Sequence, residues 1–247
     1  MARTPPDRDV APTVQRLRLQ YAKRGRLRFS SHRDFQRALE RALRRADIPM
    51  AYSAGFSPHP KVSYANSAPT GVASEAEYVE IGVTRECDAA AVRDALDAAL
   101  PPGLDVLEVV EARTPDFANR LEASIWRVEL PGVDAARAQE AVTALLAEEE
   151  VLVERLMKNG RRTFDARGAV IRADCAAAAD AAADCAILTL VVRHGTPSVR
   201  PDDVLSALRR VADLVPPKPP RVTRLAQGPL DEAGVSVTDP FAPDRAG

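Results

Sequence analysis

Within the first fifty residues the spacing of apolar side chains changes from every second residue to every third or fourth. That change limits the fold more than any other feature. Leu17, Leu19 and Tyr21 alternate with Arg16, Arg18 and Gln20, the pattern of a half-buried strand whose polar face carries arginine. Lys23, Arg24 and Gly25 turn the chain, and Leu27 and Phe29 then alternate with Arg26 and Arg28. Ser31 and Asp34 have the spacing of a capping box. Phe35, Ala38, Leu39, Ala42, Leu43 and Ala46 follow at helical spacing, so that face packs inward. Arg37, Arg41, Arg44 and Arg45 fall on the other face, and Pro49 ends the helix.

Residues 52–61 form a loop rich in Gly, Pro and aromatic side chains, suited to presenting polar groups rigidly. Strands are expected at 61–66 and 77–83, with a loop at 69–75 between them. A helix at 88–100 is stopped by Pro101, Pro102 and Gly103, and a strand follows at 104–110. The order β-α-β-β-α-β is that of the ferredoxin-like split unit. A similar order recurs. It has a strand at 125–130, a helix at 135–148, candidate strands at 151–156 and 163–166, and a strand at 187–192. A helix at 201–214 opens with Pro201, Asp202 and Asp203, and a candidate last strand spans 221–226. Residues 168–184 carry no readable pattern. The expected fold is α+β, two ferredoxin-like halves with antiparallel sheets. Residues 1–13 are expected to be a disordered lead, 14–112 the first domain, 123–227 the second, and 228–247 a disordered tail.

No apolar run approaches the roughly 18 residues of a membrane span, and the N-terminus lacks the apolar core of a secretory signal. A cytoplasmic protein is expected. Cys87, Cys175 and Cys185 are odd in number and widely spaced, which fits neither a disulfide framework nor a zinc knuckle. The net charge of −1 conceals an asymmetry: between Arg16 and Lys61 stand twelve Lys and Arg against Asp34, Glu40 and Asp47. A local basic surface points to a phosphate-bearing partner, and the acidic remainder argues against general adhesion to nucleic acid.

Arg37, Arg41, Arg44 and Arg45 place several guanidinium groups on one helical face, each able to hold a phosphate through two donors. The plainer reading is a solvated face with Glu40 paired to Arg44. Arg16, Arg18, Lys23, Arg28 and Lys61 extend the expected phosphate-binding set. His32 with Asp34 could be a general base and its orienting carboxylate. Alternatively, Ser31 and Asp34 cap the helix and His32 bonds the loop. His59 lies between Pro58 and Pro60, which restrict the backbone and fix where its ring points. It suits a phosphate contact, a base, a metal ligand with Glu75 and Glu77 nearest in sequence, or a simple turn. In a chain only 4% aromatic, Tyr52, Phe56 and Tyr64 gather here, able to stack on an unpaired base. Asp165 with Arg167, and Arg200 ahead of Pro201, form a last candidate, with an ion pair or helix cap as the plainer reading. Arg16, Arg18 and the loop around His59 are expected on one contiguous surface.

Taken together, residues 21–25, 27–34, 40–46, 48–49, 52–53 and 55–61, with Gly71, Ser74, Glu75, Glu77 and Tyr78, resemble a known bacterial family. It is the radical-SAM-linked (radical-SAM-associated) protein family, a domain of unknown function. Weaker echoes lie at 164–167 and 199–201. Arg33 stands where the usual form has an aliphatic residue. The resemblance implies a radical SAM enzyme as neighbour. The chain itself has no Cys-x3-Cys-x2-Cys motif to hold an iron–sulfur cluster, no phosphate-binding Gly-Lys loop and no dinucleotide fingerprint. No cofactor and no resident metal is expected. The expected function is an accessory protein that binds RNA, from tRNA or rRNA processing or modification, or another phosphate-rich substrate, beside that enzyme. The alternatives are a stand-alone RNA-processing or RNA-modifying enzyme using His32 and His59, and a scaffold that binds only protein.

Overall fold

The alternating segment forms strand β1 (Gln15–Lys23), and the capped amphipathic segment forms helix α1 (His32–Arg45), with a 3-10 helix (Gly25–Phe29) between them. The structure is a computed structural model and describes residues 11–246 except Gly55, 158–159 and 179–184. Most of the expected lead therefore lies outside the described residues. The chain is a mixed α+β fold with mostly antiparallel sheet pairing. It divides into two compact units, Met1–Ala118 with Phe241–Gly247, and Asn119–Pro240. Among the described residues, no helix is long and apolar enough to cross a membrane.

In the first unit, β2 (Val62–Ala65), β3 (Ala73–Val83), α2 (Ala89–Ala99) and β4 (Val106–Glu111) follow α1. β1 is flanked by β3 and β4, and β3 also pairs with β2, all antiparallel. Leu17, Leu19 and Tyr21 of β1 pack against Phe35, Leu39 and Leu43 of α1 and Val92 and Leu96 of α2. Each such side chain contributes about 1.5–3 kcal/mol by leaving water. Tyr21 stacks on Phe35 with ring centroids 4.0 Å apart. α1 begins as its sequence dictates: Ser31 Oγ accepts from the Asp34 amide at 3.2 Å, and Asp34 Oδ2 accepts from the Ser31 amide at 3.0 Å.

Two expectations need correction here. β1 is not half-buried: its second face is covered too, and Arg18 is only 3% exposed. The cover comes from residues 112–118 and from the last residues of the chain, which are not a disordered tail. Phe241 is fully buried, with its ring 5.3 Å from that of Tyr78 and 5.5 Å from that of Phe117, and helix α6 (Ala242–Arg245) follows it. A polar, Pro-containing tail becomes ordered because one aromatic ring and one carboxylate, Asp244, find buried partners. Upstream, Leu230 bridges Val237, and a Cβ at Gly228 would overlap the Thr238 carbonyl, so this fold-back needs glycine.

A short helix α3 (Phe117–Arg120) leads to the second unit. That unit comprises β5 (Ala123–Pro131), α4 (Ala135–Ala147), β6 (Leu152–Met157), β7 (Gly160–Asp165), β8 (Val170–Ala177), β9 (Cys185–Arg193), α5 (Pro201–Ala212) and β10 (Arg221–Gly228). β5 is flanked by β10 and β9, and β9 pairs with β8, all antiparallel. β6 and β7 form a separate two-stranded hairpin. The patternless stretch thus supplies strand β8. A register shift between Val170 and Arg172 breaks the alternation, so Val170 and Ala173 are buried while Arg172 and Asp174 are exposed.

His194 is half-buried in this unit, with Nδ1 2.5 Å from the Leu121 carbonyl oxygen and Nε2 2.7 Å from Ser124 Oγ. The carbonyl can only accept, so Nδ1 carries the proton. Burial pushes the imidazole pKa down; the Leu121 carbonyl opposes this, and the nearby Arg224 charge adds to it. An unfolded histidine titrates near 6.5. Below that pH the unfolded chain takes up a proton that folded His194 refuses, so stability falls as pH drops from about 6.5 toward the folded pKa. Urea midpoints between pH 7.5 and 5.5 should fall more for the native chain than for His194→Asn. Parallel profiles would show that His194 carries none of the dependence.

Candidate functional site

α1 turns its apolar stripe toward the sheet, so its arginines face water. Arg33, Arg37, Arg41, Arg44 and Arg45 are all exposed. Successive turns carry them along the whole helix, about 18 Å from first to last at 1.5 Å per residue. Among the described residues none of the five is in an ion pair, and Glu40 does not pair with Arg44. Elsewhere in the same unit Arg26, Arg28 and Arg85 are likewise in no ion pair, but most other described arginines are paired. Arg16 binds Glu80 at 2.8 Å, Arg24 binds Glu75 and Asp105, and Arg245 binds Glu108 at 2.6 Å.

Exposed aromatic rings stand at both ends of this rail. At the N-terminal end is Phe29, 59% exposed, with the Arg28 guanidinium carbon 4.7 Å from its ring centroid. The sequence pattern puts Phe29 in an alternating, strand-like run, whereas Gly25–Phe29 is a 3-10 helix that leaves the ring exposed. The adjacency of Arg28 and Phe29 in a polar stretch was the available signal. At the C-terminal end, the loop after α1 is tied to β3 by hydrogen bonds among Ala51, Lys61 and Gly82 of 2.8–2.9 Å. It presents Tyr52 and Phe56, 40% and 56% exposed. Gly55, within this segment of the sequence, lies outside the described residues.

His32 is the first residue of α1, and His59 lies in the loop that follows the helix. Among the described residues no hydrogen bond joins the two, and each has other partners. His32 Nε2 is 3.1 Å from the Gln36 amide nitrogen, its Nδ1 is 3.5 Å from Ser67 Oγ, and its ring meets Tyr64 edge-on at 4.6 Å. Asp34 serves the helix cap and does not orient His32. Hydrogen bonds from Ser31 hold its carboxyl below the usual range. His59 is exposed and bonded to Ser53 through its backbone, with its amide 3.0 Å from Ser53 Oγ. Lys61 Nζ donates to Thr13 Oγ1 at 3.0 Å.

Several expected contacts are internal. Tyr64 packs against His32 and Phe35, and burial, with the Glu40 charge, pushes its phenol pKa up. It is not an open stacking ring. Lys23 is buried and points at the Ala68 and Pro69 carbonyls at 3.4 and 3.3 Å. Glu77 is buried and accepts from the Ala68 amide, and Glu75 is paired to Arg24. Among the described residues, no group of three or more His, Cys, Asp or Glu is gathered as a metal site.

Arg16 and Arg18 lie on the sheet face away from α1. Arg18 Nε donates to Glu80 at 3.0 Å, Nη1 to Asp244 at 2.5 Å, and Nη2 to the Thr114 carbonyl at 2.5 Å, while Phe117 lies against its guanidinium at 4.9 Å. A cavity of about 490 Å³ opens beside it, lined by Arg16, Ser63, Glu80, Thr114, Asp116 and Phe117 among others. Its mixed charges are largely satisfied by each other. The expected single surface of Arg16, Arg18 and the His59 loop is therefore not formed, since Arg18 is buried. In the second unit, Asp165 accepts from the amides of Val151, Arg167 and Gly168, and Arg167 binds the Val170 and Leu146 carbonyls. Arg200 precedes α5, and its amide donates to Asp203 at 2.7 Å. These are turn and cap arrangements.

Residues 16–201 match the family described as an uncharacterized protein conserved in bacteria (DUF2344), and the chain belongs to that family. No curated protein matches it. One solved structure, described as an unknown protein from Galdieria sulphuraria, is similar over 85% of this chain and 96% of its own, at 17% identity and a TM-score of 0.25.

Proposed function

We propose that this member of the family is an accessory RNA-binding protein that grips the RNA backbone along α1. In this reading a radical SAM partner in the cytoplasm supplies the chemistry of tRNA or rRNA processing or modification. One observation carries the RNA-binding reading: five exposed arginines on one helix face without carboxylate partners, in a unit whose other arginines are largely matched. Like charges at i, i+4 destabilise a helix by about 0.2–0.5 kcal/mol per pair. The rail therefore works against folding, and an oppositely charged partner accounts for it. Exposed rings at both ends favour nucleic acid over an acidic protein surface. The radical SAM partner rests on the sequence resemblance alone. The β-α-β-β-α-β element order supports reading each unit as a ferredoxin-like half, with the hairpin β6–β7 inserted in the second.

The test is titration of the purified chain with tRNA and rRNA fragments over a salt series, where phosphate contacts appear as a log–log slope of about −0.7 each for single strands. A flat slope would reject the reading. The histidines separate an accessory from an enzyme. His32→Ala and His59→Ala are each expected to weaken RNA binding by no more than about fivefold, as for one lost hydrogen bond. The isolated protein should leave RNA unchanged by mass spectrometry. Strong turnover, lost in both variants while binding persists, would favour the enzyme.

A further inference from the structure

We infer that Phe29, backed by Arg28, is a stacking platform for an unpaired base, so the ligand of the α1 surface is single-stranded rather than duplex RNA. This rests on the RNA-binding reading and deepens it. Scattered exposed apolar side chains are ordinary, but Phe29 is not simply left in water. The Arg28 guanidinium stacks against its ring at 4.7 Å. The Arg28 backbone is fixed by the Gly71 amide, which donates to its carbonyl at 2.8 Å, and the Arg28 Nε is buried without a hydrogen-bond partner. A ring with a cation against it and most of its remaining surface in solvent is prepared for a flat, electron-rich partner.

Nucleobases supply that partner only when unstacked, which in RNA means single strands, loops and ends. The position is also right for the backbone. Phe29 lies four residues before Arg33, where the rail begins, and exposed Arg26 lies three residues before it in the chain. A strand laid along α1 would place a base on Phe29 while its phosphates follow the guanidinium groups. Tyr52 and Phe56 stand at the far end of the same path. Phenylalanine offers no polar atom to a base edge, so the platform would accept any base.

The experiment titrates the full chain with a 12-nucleotide single-stranded RNA and with the corresponding duplex over one salt series, for native protein, Phe29→Ala and Phe29→Trp. Phe29→Ala is expected to weaken single-strand binding by about tenfold, the order of one lost base–aromatic stack, without changing the salt slope. Phe29→Trp should retain affinity, and duplex binding should be indifferent to both variants. Salt-dependent single-strand binding that Phe29→Ala leaves unchanged would overturn the platform and spare the α1 reading. Equal losses for strand and duplex would overturn the single-strand assignment. No salt-dependent binding by the native chain would overturn both.

Discussion

Asp244→Ala is expected to destabilise the first unit by about 3–5 kcal/mol, the scale of breaking a buried ion pair from one side. That is a large share of the roughly 5–15 kcal/mol by which domains are stable. Asp244 is 2% exposed, and its carboxylate accepts from Arg18, the Arg113 and Thr114 amides, and the Thr114 hydroxyl. Alanine leaves the buried Arg18 guanidinium short of a counter-charge and two amides without an acceptor. Arg18→Met with Asp244→Leu should lose far less than the two single changes combined, because both charges leave the interior together. Denaturant unfolding reads the difference; a loss below about 1 kcal/mol, the value of an exposed pair, would show that the contact carries no weight. The pH response has a defined sign. Burial pushes the Asp244 carboxyl up, but the Thr114 hydroxyl and the Arg18 guanidinium outweigh it and hold its pKa below the usual range. Its contribution is complete above the unfolded value near 3.9 and is lost as pH falls through the lower folded value.

The local patterns of the first unit were legible because each used a short-range rule. The Ser31–Asp34 box marked the start of α1, the 3.6-residue period set its faces, and alternation marked β1. What depended on distant parts of the chain was not legible. Nothing near Arg18 shows that Asp244 and Glu80 will consume its donors, so it read as surface. Tyr64 looked like one of three loop aromatics until β2 carried it against Phe35 and His32. His32 and His59 read as a pair, but the ring nitrogens of His32 meet Gln36 and Ser67 while His59 bonds Ser53 through its backbone. The β6–β7 hairpin was visible as two strands, while its separation from the main sheet was not, because strand period says nothing of pairing partner.

The α1 rail is the other place where a large effect is expected. Arg37, Arg41 and Arg44→Ala together should leave the fold intact, since exposed substitutions away from packed features change stability by about 0.5 kcal/mol or less each. Removing them also relieves like-charge repulsion on the helix. RNA affinity should fall at least about a hundredfold at low salt, because hydrogen bonds to charged groups each contribute about 1.5–3 kcal/mol. A matched control removes three arginines that already have carboxylate partners away from α1: Arg16, Arg113 and Arg172→Ala, paired with Glu80, Glu111 and Asp174. Net charge changes equally in both triples, so long-range attraction cannot explain a difference between them. The decisive measurement is the log–log salt slope of single-stranded RNA binding for the native chain and both triples. The α1 triple should flatten the slope by about two units, three contacts at about 0.7 each, with the control close to native. Equal slopes for the α1 triple and the native chain, or equal losses in both triples, would show that α1 is not where the RNA is held.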